Sequence, residues 1–117
     1  MPRFEASALR GYCVSVLTAS GVERSCAEAV ADALIDAELT GVSTHGVSRL
    51  AVYMQRMDAG VMSRENNICI VRESTSTLVV DAGNSLGAAA AKFAMERCIA
   101  KAKETGCCFA SVHSSNH

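Results

Sequence analysis

Residues 77–112 read TLVVDAGNSLGAAAAKFAMERCIAKAKETGCCFASV, and two kinds of pattern alternate over three successive segments of this stretch. Thr77–Asp81 and Cys107–Val112 are apolar, β-prone runs, which are typical of strands. Between them, residues 85–104 carry apolar side chains at helical spacing. The stretch therefore predicts a strand, a helix and a second strand, an order typical of domains that pack helices against a sheet.

The ends of the central helix are also marked in the sequence. Asn84 or Ser85 can cap its first turn, and Gly106 is expected to stop it, because glycine adopts the left-handed conformation that often follows a helix. Asp81–Gly87 could cradle a phosphate at the helix start, but it lacks the G-x-G-x-x-G spacing and the P-loop lysine, so a structural turn is favoured. The side chains expected to face inward are Met95, Cys98, Ile99 and Ala102.

The residues upstream predict one more strand and three more helices. Ile68–Arg72 is a β-prone run separated from residues 77–81 by four polar residues, which indicates an antiparallel pair. Ser25 and Glu28 fit a capping box at the start of the second helix. The inward-facing residues expected on the three helices are Ala8, Leu9, Tyr12, Cys13, Val16 and Leu17, then Val30, Ala33, Leu34 and Ala37, then Leu50, Tyr53, Met54 and Met57.

These elements define the fold class as α/β (α+β). We expect a helical segment over residues 1–60, followed over residues 61–117 by the start of a body built from strands and helices. Strand 107–112 would need neighbours on both faces, and only two other strands are available. We therefore expect the natural polypeptide to continue past His117, although a small complete domain with a frayed tail remains the alternative.

The composition argues against several classes of protein. Lys and Arg together number 11 against 12 Asp and Glu, for a net charge of −1, so the basic excess of a nucleic-acid-binding protein is missing. No run approaches the roughly 18 apolar residues that a membrane span needs. Residues 1–10 lack the apolar region of a secretory signal. We therefore expect a cytoplasmic protein that binds neither nucleic acid nor membrane.

Six cysteines raise the question of disulfides. No C-x-x-C pair is present, and most of the cysteines occupy apolar positions of periodic segments, where a reduced cysteine behaves as a small hydrophobic residue. We interpret them as reduced thiols that serve packing, with a redox role as the less favoured alternative. They are Cys13, Cys26, Cys69, Cys98, Cys107 and Cys108.

Three polar residues could carry chemistry near the start of the third helix. His45, Arg49 and Tyr53 are spaced four apart, so a helix that begins near His45 would project all three from one face. A guanidinium can bind a carboxylate through two hydrogen bonds, and an imidazole can exchange a proton near neutral pH. The alternative is a solvated Arg49, a core Tyr53 and a polar His45 at a helix start.

His113 and His117 are also four apart, but nothing in Ser114–Asn116 indicates a helix and no glutamate completes the H-E-x-x-H zinc signature. We therefore expect no metal site. A single histidine in a polar loop at a strand end is a candidate acid/base group, and His113 is expected to point away.

The segment Gly41–Leu50, GVSTHGVSRL, resembles the G-V-x-S-H-G-V-x-R-L signature of the malate/L-lactate dehydrogenase family. Further matches follow in order: Tyr53, Gly60, the D-x-x-N-x-x-G turn at residues 81–87, and Ser115-Asn116-His117, which resembles the family's S-N-H motif. Thr44 replaces the usual serine and keeps its hydroxyl, and Ala51 replaces a common proline.

The resemblance implies a non-Rossmann α/β fold with a mixed sheet, a helical N-terminal part and an intertwined homodimer. It implies acid/base roles for His45 and His117 and a substrate-carboxylate pocket lined by Arg49 and Tyr53. Ser43 and Thr44 are further substrate-binding candidates, and Asn116 is a candidate for contact with the cofactor. Family members are longer, and most of their cofactor contacts lie in later segments.

The expected activity is therefore the interconversion of a small 2-hydroxy acid and a 2-oxo acid with NAD or NADP. The choice between the two cofactors, the identity of the acid and the choice between His45 and His117 stay open. The alternative is a non-catalytic fragment that serves as a dimerisation or interaction module.

Overall fold

The computed structural model describes residues 2–117 and follows the predicted order of helices and strands. Within this range, no helix is long and apolar enough to span a membrane. The elements are α1 (Ala6–Ala19), α2 (Arg24–Leu39), a 3-10 turn (Ser43–His45), α3 (Arg49–Asp58), β1 (Cys69–Glu73), β2 (Thr77–Asp81), α4 (Gly87–Thr105) and β3 (Phe109–His113).

The strands form one mixed sheet in the order β1-β2-β3. β1 and β2 are antiparallel, with Cys69 opposite Asp81 and a break in register between Ile70 and Arg72. β2 and β3 are parallel, with Thr77 opposite Phe109, and α4 makes the crossover that a parallel pair needs. The antiparallel pair and the α/β fold class are confirmed, and β3 is left as an edge strand.

The helical core lies where α1 and α2 pack against each other. Leu17 and Leu34, two residues predicted to face inward, are almost completely buried, and each stabilises the fold by about 1.5–3 kcal/mol. Three predictions for these helices are wrong, because Tyr12 is 59% exposed and both Ala8 and Ala33 are also exposed. Val14 and Ala31 are buried instead.

The inward face of α4 differs from the predicted one. Met95 and Ile99 are 60% and 48% exposed, whereas Ala90 and Ala94 are buried. Cys98 is buried as predicted. The side of α4 that faces the rest of the chain thus carries small side chains, which allow a close approach to α2 and the sheet, and the larger apolar residues point outward.

The helix starts also depart from the prediction, although one helix end agrees with it. α2 begins at Arg24, and Ser25 donates from Oγ to Glu23 Oε1 at 2.5 Å instead of forming a capping box with Glu28. α4 begins at Gly87 after Leu86, without a side-chain cap from Asn84 or Ser85. Gly106 ends α4 in the left-handed conformation, with φ 95°, so the predicted stop is confirmed.

Candidate active site

The third helix begins later than predicted. His45 ends the 3-10 turn, and α3 starts at Arg49, so the two residues do not lie on one continuous helix. The Glu38 side chain of α2 explains the interruption, because its Oε1 accepts a hydrogen bond from the Val47 N–H at 2.8 Å. This contact holds the backbone at Gly46 in an extended conformation with φ −89° and ψ −149°.

Gly46 is required by the same contact. A methyl group at this position would overlap the Glu38 carboxylate, so any side chain there must displace Glu38 from Val47. Sequence patterns did not reveal the role of Glu38, because the residue lies on a different helix from the motif that it supports.

The segment after β3 is fixed to the start of α4 by backbone hydrogen bonds. The Asn116 N–H donates to the Ser85 carbonyl at 3.1 Å, and the Gly87 N–H donates to the Asn116 carbonyl at 2.6 Å. A Cβ atom at Gly87 would lie 2.7 Å from that carbonyl oxygen, so glycine is needed for the close approach. Residue 117 is thereby held at a fixed distance from the start of α4.

His117 lies among three of the residues that the motif singled out. Its ring stacks on His45, with centroids 5.2 Å apart and planes 15° apart. Its Nδ1 is 2.9 Å from the Tyr53 hydroxyl, and its backbone carbonyl accepts a hydrogen bond from Arg49 Nη2 at 3.0 Å. The four side chains that converge are therefore His45, Arg49, Tyr53 and His117. They come from separate segments, whereas the sequence predicted one helical face for the first three.

Arg56 is a member of this cluster that sequence reasoning missed. Its Nη1 donates to the same His117 carbonyl as Arg49 does. Arg56 follows Arg49 by seven residues on α3, which is about two turns and places both on one face. That spacing was the available signal.

The surroundings of the two titrating side chains keep them in defined protonation states. The pKa of His117 is lowered by partial burial and then by the nearby charges of Arg49, His45 and Arg56, so the ring is neutral at neutral pH. Burial raises the pKa of the Tyr53 hydroxyl, which therefore keeps its proton. Tyr53 donates to Nδ1 or accepts from it, according to which ring nitrogen carries the single proton.

The remaining predicted site residues lie at the margin of the cluster. Thr44 Oγ1 is 3.0 Å from His45 Nδ1 and can fix the orientation of that ring. Ser43 is exposed, and its backbone carbonyl accepts a hydrogen bond from Ser48 Oγ at 3.2 Å. The Asn116 Nδ2 donates twice to Asn84, to its carbonyl at 2.9 Å and to its side-chain Oδ1 at 2.5 Å, so the Asn116 Oδ1 is the side-chain atom left to meet a ligand.

The alternative histidine pair does not share a site. His113 Nδ1 is 3.8 Å from Asp81 Oδ1, whereas His117 stacks on His45. Among residues 2–117, no three His, Cys, Asp or Glu side chains are grouped so that they could hold a metal ion. In the turn before α4, a Cβ atom at Gly83 would lie 2.7 Å from Asn67 Cβ, so glycine is needed there for packing, and the structural role of the turn stays a prediction.

The cluster combines groups that suit a small organic anion. Two guanidinium groups supply positive charge and directed N–H donors, and a neutral imidazole beside a protonated phenol can exchange a proton with a bound hydroxyl or carbonyl group. Arg49 Nε is buried without a hydrogen-bond partner among the described residues, and such a donor costs about 1–3 kcal/mol until it is paired.

Comparison with known proteins identifies the family of the chain. The family described as malate/L-lactate dehydrogenase matches residues 4–117. An L-sulfolactate dehydrogenase of Methanothermobacter thermautotrophicus is 37% identical over 102 residues, which cover 87% of this chain and 30% of the relative. A ureidoglycolate dehydrogenase (NAD(+)) of Escherichia coli is 29% identical over 101 residues, which cover 86% of this chain and 29% of the relative.

A solved structure shows the same fold. The malate dehydrogenase of Pyrococcus horikoshii OT3 superposes with a TM-score of 0.95 at 35% identity, over 99% of this chain and 33% of that chain. The curated relatives are thus matched over only 29–32% of their own length.

Proposed function

Because this chain belongs to the malate/L-lactate dehydrogenase family, we propose that it forms the substrate-recognising part of an NAD- or NADP-dependent dehydrogenase. The enzyme would interconvert a small 2-hydroxy acid and the matching 2-oxo acid. The observation that supports this proposal most directly is the convergence of His45, Arg49, Tyr53 and His117 within hydrogen-bonding and stacking distance.

Arg49 is the proposed anchor of the substrate carboxylate. Its Nη2 already donates to the His117 carbonyl, and its buried Nε has no hydrogen-bond partner among residues 2–117. A substrate carboxylate that accepts a hydrogen bond from Nε would remove the free-energy cost of leaving this donor unpaired. Charge-assisted hydrogen bonds of this kind contribute about 1.5–3 kcal/mol, and lysine cannot reproduce the paired geometry.

His117 or His45 is the proposed acid/base group. When His117 Nδ1–H donates to the Tyr53 oxygen, Nε2 is free to take the proton from the hydroxyl of a 2-hydroxy acid. In the opposite direction the protonated ring returns a proton through Nε2 to the oxygen that develops negative charge. Tyr53 fixes the ring orientation, as the partner of an acid/base histidine does in many enzymes. His45 lies against the same ring and can serve instead.

The nicotinamide cofactor, which would supply the hydride chemistry, is proposed from the family. The turn before α4 is not proposed as a cradle for its phosphates, because the Gly87 N–H donates to the Asn116 carbonyl and the Asn116 amide nitrogen donates to Asn84. We propose that most cofactor contacts belong to the larger share of the family's length that this chain does not span. The division into a helical segment 1–60 and a sheet body 61–117 stays a prediction.

We also propose that the protein is a cytoplasmic homodimer that binds small acids and neither nucleic acid nor membrane. The balanced charge supports the absence of nucleic acid, and the family resemblance supports the dimer. Sedimentation velocity at several concentrations measures the oligomeric state, and a monomer throughout would contradict the dimer.

The substrate proposal can be tested without a cofactor on the protein as its gene encodes it. L-malate, L-lactate and sulfolactate are titrated separately while the imidazole proton resonances of the three histidines are followed by NMR. We expect saturable shifts at His45 and His117 with at least one of these acids, and none at His113. Arg49→Lys should weaken the binding by about tenfold or more. The lost charge-assisted hydrogen bond is worth about 1.5–3 kcal/mol, and tenfold corresponds to about 1.4 kcal/mol. Equal shifts at all three histidines would contradict the site.

The redox proposal is tested on the protein as its gene encodes it. Oxidation of NADH and of NADPH is measured with the 2-oxo acids that correspond to the same three hydroxy acids. Turnover with one cofactor and one acid is expected. No turnover with any pair, together with concentration-dependent self-association, would instead favour a non-catalytic dimerisation or interaction module.

A further inference from the structure

We propose that Cys98 and Cys108 form a redox-reactive thiol pair, at which a peroxide converts two thiols into a disulfide. Cys98 lies on α4, and Cys108 lies just before β3. Their sulfur atoms are 3.1 Å apart, close enough that a small movement brings them to bonding distance. The pair involves none of the residues of the candidate active site, so the proposal is independent of the dehydrogenase activity.

The environment of the pair gives the two cysteines different roles. Cys98 is 9% exposed, whereas Cys108 is more accessible. Both line a shallow apolar groove between α4 and β3, together with Ala91, Ala94, Met95, Phe109, Ala110 and Val112. A small uncharged oxidant such as hydrogen peroxide can enter this groove. Cys108 is therefore the sulfur that meets the oxidant first, and Cys98 is the resolving thiol.

The reaction balances with peroxide as the only co-reactant. The Cys108 thiolate attacks one peroxide oxygen and the O–O bond breaks. Hydroxide leaves, takes up the proton released from the thiol and becomes the first water, which leaves a sulfenic acid on Cys108. Cys98, after loss of its proton, attacks this sulfur, the S–O bond breaks and the second water departs. Two thiols have lost two electrons, and the peroxide has gained them.

Protonation sets the rate of the first step. Partial burial and the neighbouring Cys98 raise the pKa of the Cys108 thiol, against a smaller opposite effect of the Lys101 charge. Since the thiolate is the nucleophile, the pair should stay reduced at low peroxide and react faster as the pH is raised. The disulfide would tie α4, at Cys98, to the residue that directly precedes β3.

The four other cysteines lack this arrangement. Cys13 and Cys26 are buried in the helical core, and burial raises the pKa of each thiol. Cys69 and Cys107 are exposed. Cys107 precedes Cys108 directly and is therefore a matched control for an accessible thiol in the same segment.

Peptide mapping tests the pair directly. The chain is treated with hydrogen peroxide, the remaining thiols are alkylated, and trypsin digestion is followed by mass spectrometry. Trypsin cuts after Arg97, Lys101 and Lys103, so Cys98 and Cys108 fall in different peptides. We expect a disulfide-linked pair of these peptides in the wild type and in Cys107→Ser, and its loss in Cys98→Ser and Cys108→Ser.

Two further measurements make the outcome decisive. Circular dichroism establishes that each serine variant is folded, and the Tm of the oxidised wild type should exceed that of the reduced form, whereas oxidation should not raise the Tm of Cys108→Ser. The proposal is overturned if the linked peptides persist in Cys108→Ser, since Cys107 would then be the partner. It is equally overturned if peroxide oxidises Cys69 and Cys107 to sulfinic acid while Cys98 and Cys108 remain alkylatable.

Discussion

Substitution of Gly46 by alanine tests how the helix α2 supports the motif that carries His45. The new methyl group would overlap the Glu38 carboxylate. The glutamate side chain can move aside only if it breaks the 2.8 Å hydrogen bond that it accepts from the Val47 N–H. A hydrogen bond to a charged group is worth about 1.5–3 kcal/mol. Because Glu38 is only half-buried, we expect the free energy of unfolding to fall by about 1.5 kcal/mol, near the lower end of this range.

The measurement is urea unfolding followed by circular dichroism, with two controls. Gly11→Ala is the matched variant, since Gly11 lies within α1 and a Cβ atom there meets nothing within 4 Å, so this change should stabilise the protein by about 0.5–1 kcal/mol. In a double-mutant cycle, Gly46→Ala should cost little once Glu38→Ala has removed the carboxylate. Additive losses in the cycle, or an unchanged midpoint for Gly46→Ala, would refute the reasoning.

Three further outcomes are expected. An NMR titration of the imidazole resonances should show His117 with a pKa below the ordinary histidine value, and Arg56→Gln should raise it, because one of the positive charges that lower it is removed; an unchanged value would contradict the assigned cause. The folded pKa of His117 lies below its unfolded value, so its contribution to the free energy of unfolding is present above pH about 6.5 and is lost as the pH falls from there through the folded pKa. Over this pH range, the urea midpoint of the wild type should therefore fall more than that of His117→Asn. Tyr53→Phe removes the hydroxyl that is 2.9 Å from His117 Nδ1 and should lower kcat of the gene-encoded enzyme more than it raises KM, and a change in KM alone would make Tyr53 a binding residue only.

Local patterns predicted the elements whose causes are local. The run Thr77–Asp81 matches β2 residue for residue, and Gly106 ends α4 because only the backbone conformation at that position matters. Part of the face of α4 was predicted wrongly, since Met95 and Ile99 have the larger apolar side chains but are exposed, whereas Ala90 and Ala94 are buried where α4 packs against α2 and the sheet. That choice depends on the distance to a neighbouring helix, which a single sequence does not contain.

The candidate site was likewise predictable from the sequence only in part. His45, Arg49, Tyr53 and His117 were identified from residue types, spacing and family motifs, and the structure brings them together. Their expected placement on one helical face was wrong for His45, because Glu38 interrupts the helix from outside the motif. Arg56 carried a readable spacing signal, whereas Glu38 had none.

The parallel pairing of β2 with β3 determines when the site can assemble as the chain folds. Tyr53 and His117 are separated by 64 positions, and their contact requires the α4 crossover to be complete, so the entropy of closing that loop must be overcome first. The α1–α2 pair needs no such closure and can collapse early. On warming, we therefore expect the order to reverse, with the stacked imidazoles separating while the helical pair is still intact, so that the capacity to bind an acid is lost at a lower temperature than the helix content.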